Sequence, residues 1–122
     1  MSGQLKEADG YFKDSLGIAT GLGNNSLIAS AEANLGLIAF ELGTCAEAER
    51  HFSLSQELRI KEGDKSGIAK NLNHLGKVKE ALGRPEEAAN LYQESLSLLR
   101  ELGAPETKIA LDNLTRVRSR LS

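Results

Sequence analysis

With 122 residues the chain amounts to one domain, and its 40% hydrophobic content is enough for a core. Aromatic residues make up only 4% and Trp is absent, so that core has to be packed mainly from Leu, Ile and Ala, side chains that suit helices. A net charge of −2 argues against a nucleic-acid or anionic-membrane partner, one cysteine excludes an internal disulfide, and no apolar run approaches the length of a membrane span.

The first predicted element is a helix over residues 4–21, with Leu5, Ala8, Phe12, Leu16 and Ala19 along one stripe and Tyr11 and Ile18 beside it. Its opening, Met1 to Lys13, is polar and unlike a signal peptide, so a reducing cytoplasm is the expected compartment. A second helix is predicted over 26–42, with Ile28, Ala31, Leu35, Ile38 and Leu42 at helical spacing, and a third over 46–61 with Ala48, Phe52, Ser55 and Leu58. The fourth, 66–82, repeats the second through Ile68, Leu72, Leu75, Val78 and Leu82. The fifth, 86–101, repeats the third through Ala88, Tyr92, Ser95 and Leu99. The sixth, 107–120, has a single stripe of Ala110, Leu114, Val117 and Leu121, with Arg116, Arg118 and Arg120 off it. These arginines suit the polar outer face of a capping helix or, alternatively, a phosphate-binding patch.

A shift of 40 residues superimposes Leu35-Gly36 on Leu75-Gly76, Leu42-Gly43 on Leu82-Gly83, Glu47-Ala48 on Glu87-Ala88, and Phe52 on Tyr92. Glycines recur at two phases, Gly23, Gly63 and Gly103 and then Gly3, Gly43 and Gly83, each expected just past a helix end. Gly36 and Gly76 fall inside helices, where glycine costs about 1 kcal/mol against alanine, so a neighbouring helix is expected to approach closely there. Connections of three or four residues imply antiparallel neighbours. The division is a partial repeat (1–23), two repeats (24–63 and 64–103) and a capping helix (104–122) within a single domain.

Leu35, Gly36, Gly43, Ala48 and Phe52, with their counterparts Leu75, Gly76, Gly83, Ala88 and Tyr92, resemble the tetratricopeptide repeat. The 40-residue period is similar to the long-repeat variant found in bacterial signalling regulators, kinesin light chains and polarity scaffolds. The resemblance implies a right-handed α-solenoid of antiparallel helix pairs that binds a peptide or helix of another protein. The first helix of each pair would line a concave groove. On matching positions that groove comprises Ser30, Ala33, Asn34, Leu37, Phe40 and Glu41, then Lys70, Asn73, His74, Lys77 and Glu80. Phe40 would either meet the partner or pack against the preceding helix. Asn34, Lys70 and His74 stand at three positions used by family members that clamp a C-terminal carboxylate, with His where Arg is usual.

No catalytic or metal-binding constellation stands out. Two histidines, His51 and His74, and one cysteine, Cys45, lack the spacing of a zinc site, and no cofactor is expected. Through residue 64 there are five basic and ten acidic residues, and afterwards ten and seven. That asymmetry is either solvated surface or a sign that the two ends meet different surfaces. The first helix is the second half of a repeat without its first half. Leu5, Tyr11, Phe12, Leu16 and Ile18 therefore form a candidate face for a preceding repeat or for a homodimer.

Overall fold

The computed structural model describes residues 2–121, which form six α-helices and, among those residues, no strand. The helices are α1 (Gly3–Leu22), α2 (Asn25–Glu41), α3 (Cys45–Glu62), α4 (Lys65–Ala81), α5 (Pro85–Leu102) and α6 (Thr107–Ser119). Each begins within about two residues of the position read from the sequence. Gly3, expected just past a helix end, is instead the first residue of α1, behind Ser2, whose hydroxyl accepts from the Leu5 amide at 3.2 Å. At the other end α6 stops at Ser119, so Leu121 falls outside the helix and is exposed.

Local chemistry sets the helix limits. Asn24 and Asp64, 40 residues apart, accept from the amides of Leu27 and Gly67 at 3.1 and 2.9 Å and so satisfy donors that no helical carbonyl can reach. Pro85 opens α5, where its missing N–H costs nothing, and Glu86 and Glu87 face the positive end of the helix dipole. Gly23, Gly63 and Gly103 close their helices at φ of 62–68°, the left-handed region that a β-carbon disfavours.

The chain divides after Gly63 into two compact units. In the first, α2 packs against both α1 and α3. Ala29, Ala31, Leu35, Ile38 and Ala39 of α2 are buried, as are Ala48 and Phe52 of α3. In the second, α5 packs against both α4 and α6, around Ala69, Ala88, Tyr92, Leu96, Leu99, Ala110, Leu114 and Val117. Burial of a large apolar side chain contributes about 2 kcal/mol, so these few residues carry most of each unit's cohesion.

The two helix pairs are joined by the same device twice. A β-carbon on Gly36 would lie 2.8 Å from Phe52, and one on Gly76 would lie 2.5 Å from Tyr92. The aromatic ring therefore occupies the space that any other residue would need. Three residues further on, the hydroxyls of Ser55 and Ser95 donate to the carbonyls of Ala29 and Ala69 at 2.7 and 2.8 Å. A serine placed on an apolar stripe is thus a buried interhelical tie.

Candidate functional site

Four of the five α4 residues nominated from the sequence converge on one feature of the second unit. Lys70, Asn73, His74 and Lys77 line an open pocket of about 250 Å³, floored by Ala69, Ser95 and Leu99 and walled on the α6 side by Glu106 and Ile109. Helical spacing explains the convergence, because positions 70, 73, 74 and 77 share one face of α4. Ser95, Leu99, Glu106 and Ile109 were not among the sequence candidates. Ile109 carried a signal: it is a large apolar residue off the stripe of α6, and it is half exposed.

Electrostatically the lining carries two lysines, Lys70 and Lys77, and one carboxylate, Glu106, and is neutral at His74. Burial, then Lys77 and Lys70, lower the pKa of His74 to about 4, so at neutral pH it offers hydrogen bonds and no charge. Asn73 has a polar partner already: the Asn113 amide donates to its carbonyl at 3.0 Å, and Arg116 in turn donates to Asn113 at 2.8 Å.

Glu80 lies outside this lining. Its carboxylate accepts from the Tyr92 hydroxyl, from Arg116 and, at 3.1 Å, from Arg120, tying α4 to both α5 and the end of the chain. Burial and the bond to Glu80 hold the Tyr92 hydroxyl well above the usual phenol range. Arg118 donates to Gln93 at 3.0 Å. All three arginines off the α6 stripe are therefore engaged within the second unit.

In the first unit, Ser30 and Asn34 line a separate cavity of about 280 Å³ with Tyr11, Phe12, Ile18 and Leu27 among its walls. Ser30 also accepts from Arg59 at 2.9 Å. Ala33 and Phe40 are half-buried, whereas Leu37 and Glu41 are exposed. Leu5, Phe12 and Leu16 are half-buried, and Tyr11 and Ile18 are each 66% exposed. An internal pair that sequence reading missed is Glu32 with His51 at 2.6 Å, both side chains nearly buried. Among the described residues no cluster of three His, Cys, Asp or Glu could hold a metal ion, and no helix is long and apolar enough to cross a membrane.

The sequence pattern of the tetratricopeptide repeat matches residues 27–101, more than half of the chain. The chain belongs to the tetratricopeptide repeat family. No curated protein matches it in sequence. Among solved structures, it is similar to Rap protein complexed with Competence and Sporulation Factor (TM-score 0.88, 18% identity, over 93% of this chain and 32% of that one). It is also similar to BtubC (BKLC) from P. vanneervenii (TM-score 0.87, 18% identity, over 97% of this chain and 49% of that one). The chain therefore spans less than half the length of either protein. At such identity the likeness is one of fold, an all-α solenoid, and the tetratricopeptide repeat is a protein-interaction fold.

Proposed function

We propose that this tetratricopeptide chain is a non-catalytic interaction module of the long-period type, acting in the cytoplasm as part of a larger signalling or assembly system. Its α4 face takes an acidic segment of a partner protein. The observation that carries this reading is the convergence of Lys70, Asn73, His74 and Lys77 on a single open pocket between α4 and α6. Two lysine ammonium groups favour carboxylates, while Asn73 and the neutral His74 favour backbone amides and carbonyls. Leu99 and Ile109 supply apolar surface for one side chain of the occupant. In one structural neighbour the same fold was solved complexed with Competence and Sporulation Factor.

The test is selection from a random peptide library against the immobilised chain. Enrichment of Asp- and Glu-rich sequences is expected, with binding lost in a Lys70→Glu, Lys77→Glu variant that retains its helical circular dichroism. Sequences without acidic bias, or insensitive to both changes, would contradict the reading.

A further inference from the structure

Asn73 belongs to a chain of side-chain hydrogen bonds that leaves the pocket and runs along α6. Its carbonyl accepts from the Asn113 amide at 3.0 Å, and the Asn113 carbonyl accepts from Arg116 at 2.8 Å. The second terminal nitrogen of the same guanidinium donates to the Glu80 carboxylate. The direction of this chain is fixed by its far end. The two ends of an amide are alike in shape, so their neighbours decide which end points where. A guanidinium has N–H donors and no acceptor. Arg116 therefore takes the oxygen of the buried Asn113, and the Asn113 NH2 in turn takes the oxygen of Asn73. The Asn73 nitrogen is the end left over. Among the described residues it donates to no protein group, and it stands open at a half-buried residue of the pocket lining. On the same face of α4, Lys70 and Lys77 carry ammonium groups, which also only donate.

We infer that Arg116 is a positioning residue for the α4 site: acting through Asn113, it holds Asn73 with its NH2 toward the occupant, so that Lys70, Asn73 and Lys77 present donors alone. The inference rests on the reading of this face as the partner site, and it states what that site selects at its middle. Asn73 stands between the two lysines, three residues after Lys70 and four before Lys77. Its NH2 therefore meets the backbone between two bound carboxylates, where it accommodates a carbonyl and turns away an N–H. Lys70 and Lys77 are two turns apart, about 10 Å along the helix. In an extended segment rising about 3.1 Å per residue, acids three positions apart span about 9 Å and share one edge. Glu106, on the α6 side, supplies an acceptor for N–H groups on the other edge. Arg120 separates anchoring from positioning. It donates to Glu80 at 3.1 Å and, among the described residues, bonds neither asparagine. Losing Arg120 weakens the hold of Glu80 but leaves Asn73 directed, whereas losing Arg116 frees both amides to turn.

The experiment titrates the full isotopically labelled chain with the capped peptide acetyl-Asp-Ala-Leu-Asp-amide and follows the side-chain amides by NMR. Saturable binding that shifts the Asn73 NH2 pair is expected. Affinity should fall about threefold or more in Arg116→Met, the loss of one hydrogen bond to the occupant. Arg116→Lys, which still only donates, should restore it, and Arg120→Met should leave it unchanged. Asn113→Asp keeps a partner for Arg116 but has no N–H to give, so Asn73 must turn its NH2 away from the pocket. Weaker binding and an unshifted Asn73 NH2 pair are expected there, and this variant decides the matter should Arg116→Met fold poorly by circular dichroism. Unchanged affinity in Asn113→Asp and in a folded Arg116→Met, or an equal loss in Arg120→Met, would overturn the role given to Arg116 while leaving the site itself standing. No saturable binding to the unmodified chain would instead overturn the reading of the α4 face, and this inference with it.

Discussion

Gly76 has an aromatic ring where its β-carbon would be, so Gly76→Leu must displace Tyr92 or separate α4 from α5. A loss of about 3 kcal/mol or more in urea unfolding is expected, whereas Lys79→Ala, which removes an ion pair with the well-exposed Glu87, should cost below about 1 kcal/mol. Gly10 and Gly17 have nothing within 4 Å of a would-be β-carbon and ordinary helical backbone. Alanine at either should stabilise the chain by about 1 kcal/mol, measured the same way. His74 sets a pH dependence. Its folded pKa of about 4 lies below the ordinary 6.5, so between those values the unfolded chain binds more protons and stability falls as pH falls. Melting temperature should decline from pH 6.5 towards 4 and decline less in His74→Gln, with Lys70, Lys77 and Glu106 still facing that site. Close packing at Gly36 and Gly76 was legible in the sequence, because a glycine repeated at one phase inside two helices weakens both unless a neighbour fills the space of its side chain. The burial of His74 was not, because its neighbours come from α5 and α6 and leave no trace in the periodicity of α4.

At the scale of the helix pair, Glu32 and His51 form a contact that is absent from the next repeat, where Leu72 and Leu91 stand at the same phases. Removing one partner strands a polar group in a nearly buried place. Glu32→Leu or His51→Leu alone should cost about 3 kcal/mol, and the double variant, which copies the later repeat, should recover most of it. A double-mutant cycle in denaturant checks this, and additive losses would show the pair to be uncoupled. Helix number, type and approximate limits were legible because glycine caps and apolar spacing agree. The pair itself was detectable as two simultaneous departures from the 40-residue repeat. The role of Ser55 and Ser95 was hidden for a different reason: a hydroxyl that bonds a backbone carbonyl selects no partner residue type.

For the whole molecule, the repeat pattern established the fold, but the binding residues were legible only as one face of each first helix. The sequence could not say which of those residues α5, α6 and Arg120 already engage. Glu80 is held by Tyr92, Arg116 and Arg120, and Asn73 by Asn113. Lys70, His74 and Lys77 line an open pocket, in the half of the chain richer in basic residues. Binding of an acidic segment there should weaken as salt is raised, since exposed charge pairs are screened over about 8 Å at physiological ionic strength. The most direct measurement is a titration of the isotopically labelled chain with a selected acidic peptide, followed by amide and side-chain NMR. Shifts concentrated at Lys70, Asn73, His74, Lys77 and Ile109 are predicted. Shifts confined to the outward positions of α3 and α5, such as Arg50, Glu57, Asn90 and Ser97, would contradict the assignment of the α4 face as the partner site.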